Sequence, residues 1–318
     1  MRILVTGTAG FIGYHLCHRL LSQGSTVTGL DNFYSGQKTN ISDLKKEFPQ
    51  RFSFYESDIC DPLPQDLQAS PFEQVYHLAC PASPPAYQKD PLFTLDTCYV
   101  GTKRMLVFAT EKKARILFSS TSEIYGDPLE HPQKEHYFGN VHTTGPRSCY
   151  DEGKRIAETL AYNYQQQKNT QIRIARIFNT YGPRMSRYDG RVLTNFITQA
   201  LQKKPLTVYG DGTQTRSFCY VDDMVSGLMK LMASQVTHPV NLGSEFEVSI
   251  DEICDRIRNI LDPKLMKEYH PLPQDDPKTR RPCLALAENL LGWRPQTTLE
   301  QGLDRMISFL RNDTINSF

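Results

Sequence analysis

A chain of 318 residues, with 36 basic and 35 acidic side chains and a formal charge of +1, is long enough for one large or two modest domains. That balance leaves no electrostatic footprint for nucleic acid or an acidic membrane. Its 8 cysteines (17, 60, 80, 98, 149, 219, 254, 283) form no CxxC and no His/Cys cluster, which argues against a metal site or a disulfide framework and fits a reducing compartment. No run approaches the roughly 18 apolar residues of a membrane span, and no charged and apolar leader precedes Arg2, so a soluble cytoplasmic enzyme or binding protein is expected.

In chain order, Ile3 to Gly13 (ILVTGTAGFIG) predicts strand, tight turn and helix. Gly7, Gly10 and Gly13 suit in turn the tight turn, close approach of backbone to a pyrophosphate, and close helix–strand packing. The helix N-terminus would hold the phosphates. A second strand, Thr26 to Leu30, ends in Asp31, eighteen residues after Gly13. That carboxylate is placed to bond the adenosine ribose and to repel a 2′-phosphate, favouring NAD over NADP. A third strand, Phe52 to Glu56, leads to Asp58 and Ile59, and a fourth, Gln74 to Ala79, ends in the rigid Pro81 to Pro85. Candidate cofactor contacts are therefore Gly7, Gly10, Phe11, Ile12, Gly13, Asp31, Asn32, Asp58, Ile59, Leu78 and Ala79.

Leu95 to Glu111 reads as a helix, Arg115 to Ser119 as the fifth strand, Tyr150 to Gln166 as a helix and Ile172 to Arg176 as the sixth strand. This alternation implies an α/β Rossmann fold, a doubly wound parallel sheet with ligands beyond the carboxyl ends of its strands. Tyr150 and Lys154 lie one turn apart on one helix face. With Thr121, Ser122 and Glu123 at the fifth strand's end they would assemble around one point. A phenol titrates near 10, and a neighbouring ammonium together with a cationic cofactor would lower that value and make Tyr150 a base. His77 reads as a satisfied core residue, and Cys149 has no histidine at a spacing that suits a nucleophile.

Beyond Arg176 the pattern loosens. A helix is expected from Val192 to Leu201, a short strand from Leu206 to Gly210, a helix from Val221 to Met232, a returning strand from Pro239 to Gly243, and two helices near 249–261 and 299–310. Residues 1–176 with 217–243 are assigned to a cofactor domain, and 177–216 with 244–318 to a smaller lobe closing over it.

The glycine fingerprint, Ser120 to Gly126 (STSEIYG), the Tyr150/Lys154 pair and Asn179 to Arg184 (NTYGPR) resemble the extended short-chain dehydrogenase/reductase family acting on nucleotide sugars. Cys149 to Arg155, Ala175 to Met185, Asp189 to Val192, Leu206 to Gly210 and Asp275 to Pro277 are most similar to its UDP-glucuronate decarboxylases, which form UDP-xylose. The resemblance implies bound NAD, a UDP-sugar substrate, and pairing of two copies through the helices at 95–111 and 150–167. Sugar 4,6-dehydratases of the family carry Thr-Asp-Glu after the fifth strand, where the Asp expels the 6-hydroxyl. Ser122 has no carboxyl proton to give, so dehydration is disfavoured.

The resemblance further implies that Tyr150 is the C4 base, that Lys154 holds the cofactor ribose, and that Thr121 bonds the C4 oxygen. Ser122 and Glu123 would sit near C5 and the carboxylate, which Arg280 or its neighbour Arg281 would meet. Asn179, Arg191 and Arg216 are candidates for the diphosphate and uridine, since an arginine fork donates two bonds to such oxyanions. Pro84, Tyr164 and Tyr209 complete the substrate set, with packing the simpler reading of Tyr164. Where these decarboxylases usually carry Lys, Asn and Asn, this chain has Asp96, Cys98 and Arg104, and the first and third are expected to lie toward the substrate. Two other readings stand beside the decarboxylase. A UDP-sugar or UDP-uronate 4-epimerase shares the Tyr/Lys pair, whereas an NAD-bound scaffold would not demand Thr121, Tyr150 and Lys154 together.

Overall fold

A computed structural model describes residues 1–315. The first half runs β1 (Arg2–Thr6), α1 (Phe11–Ser22), β2 (Thr26–Asp31), α2 (Lys38–Glu47), β3 (Phe52–Glu56), α3 (Gln65–Ala69) and β4 (Gln74–His77). Next come α4 (Pro84–Lys89), α5 (Pro91–Asp96), a π-helical turn (Thr97–Gly101), α6 (Thr102–Lys112), β5 (Arg115–Thr121), a 3-10 turn (Ser122–Tyr125), α7 (Ser148–Lys168) and β6 (Ile172–Ile177). The remainder is β7 (Thr180–Tyr181), α8 (Val192–Leu201), β8 (Leu206–Tyr209), β9 (Thr215–Ser217), β10 (Cys219–Tyr220), α9 (Val221–Ala233), β11 (Val240–Leu242) and β12 (Glu247–Ser249). It ends with α10 (Ile250–Leu261), β13 (Lys267–His270), β14 (Thr279–Arg280), α11 (Ala285–Leu291) and α12 (Leu299–Ile315).

Seven strands form one sheet in the order β3-β2-β1-β4-β5-β6-β11, every pair parallel. Ile3, Leu4 and Val5 are fully buried, because helices cover both faces and a parallel strand must be apolar on each side. The chain leaves β1 toward β2 on one side and reaches β4 on the other. That reversal opens a crevice at the strands' carboxyl ends. One core joins α1, α2 and α9 to the C-terminal helices; a second lies beneath α3, α6 and α7. The expected returning strand is β11, which pairs with β6.

The single helix expected over 95–111 is α5, the π turn and α6 in succession, and Pro84 with Pro85 opens α4. Small strands of the C-terminal third escaped the sequence reading. β12, β9 and β14 make a three-stranded sheet and β13 pairs with β8. Of these β8 was expected, whereas β9, β12, β13 and β14, runs of two to four residues, lack the apolar run that marked it.

One ion pair sets α7 against the sheet. Arg176 of β6 donates from Nε to Glu158 Oε1 at 3.0 Å and from Nη2 to Oε2 at 2.8 Å, and Nη1 donates to the Tyr125 hydroxyl at 2.9 Å. Ser120 at the end of β5 donates to the same carboxylate. Glu158→Ala would strand a buried guanidinium, which costs about 3–5 kcal/mol. Urea unfolding should register a loss of that size, and an unchanged midpoint would show that the pair does not hold α7.

Candidate active site

The cleft begins at the first turn. Gly7 has φ +76°, and a Cβ there would stand 2.8 Å from the Ala79 nitrogen; one on Gly13 would run into the Gly7 carbonyl oxygen. Gly10 caps α1 with no side-chain bond, so the first-turn N–H groups remain available to an anion. At the end of β2, Asp31 is buried, and its Oδ2 and Oδ1 accept from the Ala9 nitrogen at 2.9 Å and the Phe33 nitrogen at 2.8 Å. Burial pushes this carboxyl up, and those two N–H groups oppose the shift. Asn32 donates to Asp58 at 2.6 Å. Asp31, Asn32, Asp58, Ile59 and Ala79 line a small recess, and Gly7, Gly10 and Leu78 connect it to a main cleft of about 780 Å³ that Phe11, Ile12 and Gly13 also line. A bare backbone cradle with an acid at one end fits a dinucleotide.

Thr121, Ser122, Glu123, Tyr150, Lys154 and Arg280 all line the other end of that cleft. Tyr150 and Lys154 sit in the first turns of α7, and Lys154 donates to the Ser119 carbonyl at 2.9 Å. Tyr87 of α4 stacks on Tyr150 with centroids 5.0 Å apart and planes 4° from parallel. The lowered phenol expected from the sequence requires a cationic cofactor alongside as well as Lys154. Here burial holds Tyr150 well above its ordinary value, Cys80 adds to this, and the Thr121 hydroxyl opposes it. His77 is neutral and buried, as expected: its ring nitrogens lie 2.8 Å from the Thr6 hydroxyl and 3.1 Å from that of Thr102. Burial, then the Lys154 charge, brings it down to about 3.

Arg280 is 1% exposed. It donates to the Ser122 hydroxyl at 3.0 Å and the Gly126 carbonyl at 2.9 Å, and its Nη1 lies 3.1 Å from Glu123 Oε1. Arg147 donates to Glu123 Oε2 at 2.8 Å from the other side. Burial would raise the Glu123 carboxyl, but Arg280 and then Arg147 outweigh it and hold the group at about 2. Arg216 donates to Asp276 at 2.7 Å, and Arg191 lies 3.0 Å from Asp189. Both line the cleft with Pro84, Asn179 and Tyr209.

Several expectations need correction. Tyr164 packs with Leu160 on the core beneath α7 and does not line the cleft, because it lies ten residues, about 15 Å, further along the helix than Lys154. Asp96 and Arg104 do not face the substrate cleft either. Cys98 turns inward against Gly153 of α7, so Asp96, two residues earlier, projects to solvent on the opposite side. Arg104 instead donates to the Cys60 carbonyl at 2.9 Å. Of the two adjacent arginines, Arg281 lies 3.5 Å from Glu247 and outside the cleft lining.

Arg147, Tyr87 and Asp276 are cleft residues that the sequence reading missed. For Arg147 a signal existed, since it precedes Tyr150 by three residues and so shares its helix face. Asp276 lay within the matching segment Asp275 to Pro277, and Tyr87 carried no signal.

Fold and cleft together define a dinucleotide-binding enzyme class with a Thr/Tyr/Lys centre. The GDP-mannose 4,6 dehydratase family model matches residues 4–306, and the chain belongs to that family of extended short-chain dehydrogenases/reductases. It is 48% identical over 316 residues to UDP-glucuronic acid decarboxylase 1 of Arabidopsis thaliana, covering 99% of this chain and 71% of the relative. Against UDP-glucuronic acid decarboxylase 1 of Danio rerio it is 47% identical over 312 residues, covering 98% and 73%. Among solved structures, UDP-glucose 4-epimerase of Thermotoga maritima with UDP-glucose superposes at a TM-score of 0.90 with 26% identity, covering 99% of this chain and 100% of that one. UDP-glucuronic acid 4-epimerase of Bacillus cereus with UDP-glucuronic acid and NAD gives 0.87 and 29%, covering 98% and 99%.

The Glu123 carboxyl is depressed in the folded chain, so its contribution to stability is present above its ordinary value of 4.5 and is lost as pH falls toward 2. Urea titrations between pH 5 and pH 3 should show unfolding free energy falling for the native chain and falling less steeply for Glu123→Gln. Equal slopes would mean the clamp does not hold the carboxylate ionised.

Proposed function

We infer that this protein is an NAD-dependent UDP-glucuronate decarboxylase that forms UDP-xylose through a 4-keto sugar in a redox-neutral cycle. The observation that carries it is Arg280 buried against Ser122 and Glu123 in the cleft that Thr121 and Tyr150 also line, an arginine able to partner a uronate carboxylate and a serine in place of the acid that dehydration needs. The names of the relatives agree with it.

Bound NAD supplies the two-electron chemistry at the sugar C4. The chain's residues do the rest. Tyr150 takes the C4 hydroxyl proton, and the Thr121 hydroxyl bonds the C4 oxygen. A positive charge brought beside the buried phenol favours its ionised form. Oxidation at C4 leaves a β-keto acid whose carboxylate departs as CO2, and the electrons rest on an enolate oxygen that Thr121 and Tyr150 face. Glu123 is ionised, so it orients a water for protonation at C5 and does not itself act as the acid. Lys154 holds the cofactor ribose. Arg191, Arg216 and Asn179 hold the diphosphate and uridine, with Pro84 and Tyr209 beside them.

We read residues 1–176 with 217–243 as the cofactor domain and the rest as the sugar lobe. Exposed Leu92 on α5, Tyr99 in the π turn and Ile156 on α7 support a homodimer built on those helices, since isolated chains seldom leave such rows uncovered.

In D2O, UDP-glucuronate should give CO2 and a UDP-pentose with one deuteron at C5, read by mass spectrometry and NMR. Tyr150→Phe should abolish turnover while cofactor binding persists. Arg280→Gln should lower kcat/KM on the uronate by about 10- to 100-fold for each charge-assisted hydrogen bond removed. A product of unchanged mass without deuterium at C5 would instead identify a 4-epimerase and overturn the decarboxylase.

Asp31→Ser removes the repulsion of a 2′-phosphate and should narrow the preference for NADH over NADPH in fluorescence titrations. Tighter binding of NADPH by the native chain would refute the role of Asp31.

A further inference from the structure

Two cysteines, one in the wall of the cleft and one packed behind it, have no part in the chemistry above. Cys80 follows β4, directly after Ala79, and lines both the main cleft and the small recess. Cys98 sits in the π-helical turn, 2% exposed, with its sulfur 3.5 Å from that of Cys80. On its other side Cys98 packs so closely on Gly153 that a Cβ there would meet both its Cβ and its sulfur at 3.0 Å. The pair therefore bridges the β4 loop and α7 one residue from Lys154. All eight cysteines are free thiols.

We propose that Cys80 and Cys98 form a peroxide-oxidisable dithiol, a covalent modification site whose disulfide shuts the active-site cleft down reversibly. The two thiols are unequal. Burial opposes a thiolate at Cys80, but the hydrogen bond with Cys98 and the nearby Lys154 ammonium overcome it and bring that thiol down to about 7. Cys98 moves the other way and keeps its proton. Cys80 is thus the nucleophile reachable from the cleft and Cys98 the resolving thiol behind it.

In the first step the Cys80 thiolate attacks one oxygen of hydrogen peroxide. An S–O bond forms, the O–O bond breaks and hydroxide leaves, giving a sulfenic acid. In the second, Cys98 loses its proton and its sulfur attacks that of Cys80. An S–S bond forms, the S–O bond breaks and the oxygen leaves as water. Two thiols and one peroxide yield one disulfide and two waters, the sulfurs losing two electrons and the peroxide gaining them.

Closing the bond draws the sulfurs from 3.5 Å to about 2.05 Å. Rotation of the two side chains and adjustment of the loop after Ala79 and the π turn against α7 share that movement, and both segments support the surface that Tyr150 and Lys154 face. A misplacement on the order of 1 Å there can cost about 100-fold in rate. A thiol-containing reductant restores the pair by exchange.

The test is exposure of the full chain, as purified and again after charcoal removal of bound nucleotide, to micromolar hydrogen peroxide. Intact mass should fall by about 2 Da, the two hydrogens lost on disulfide formation. Non-reducing peptide mapping should link Cys80 to Cys98. Turnover should fall at least about tenfold and return with dithiothreitol in step with the mass. Cys98→Ser, which alters a residue outside the cleft lining, should keep native turnover and lose the response. No mass loss in either form, a link through Cys149 or another cysteine, oxygen addition without a disulfide, or a disulfide with undiminished turnover would each overturn the proposal. The mass and mapping readouts need no variant, so they decide the matter even if Cys98→Ser folds poorly.

Discussion

One carboxylate ties together parts of the chain that have no local reason to meet. Glu123 follows β5, Arg147 precedes α7, and Arg280 arrives on β14 from the C-terminal third. Arg216 and Asp276 lie beside them, and Asp151, raised to about 8 by burial and then Glu123, is a third acid largely protonated at neutral pH, so one positive charge is in excess. Burying such charges costs several kcal/mol per ion unless each finds a partner, so β14 and the ends of β5 and α7 are held to one relative placement. The same surplus is what an anionic sugar would meet on entering.

That arrangement divides the labour of the cleft. At its glycine-rich end the groups offered are backbone N–H with Asp31 and Asp58, which suits phosphates and a ribose. At its arginine-rich end the groups are cations and hydroxyls around a dry phenol. Tyr150 is walled by Tyr87, Thr121 and Cys80, and burial holds its phenol well above its ordinary value. Glu123 is in the opposite state, its carboxyl held at about 2 by Arg280 and then Arg147 against burial, and so ionised at neutral pH. Two neighbouring acidic groups are thus held in different protonation states by different neighbours, the condition for separate roles in one cycle.

The wall behind the phenol is assembled from short, irregular pieces: α4 opened by prolines, a π-helical turn and the loop after β4. These pieces set which side chains of the 91–112 helical run face inward. Cys98 does, and Asp96 does not, so a position expected to bear on the substrate carboxylate faces water.

The sequence by itself determined the sheet and the cofactor end. ILVTGTAGFIG, Asp31 at the next strand's tip and the Tyr150/Lys154 spacing each act within one or two elements, and strand and helix periods place such side chains without help from the rest of the chain. Tertiary structure alone decided the substrate end. Arg280 was separated from Arg281, Arg147 joined to Glu123, Tyr87 laid on Tyr150, and Tyr164 turned into the core. Arg280 and Ser122 are 158 residues apart, and Tyr87 and Tyr150 come from separate helices. No periodicity records which of two adjacent side chains faces a partner that far away, because that choice is made by the packing of the elements between them.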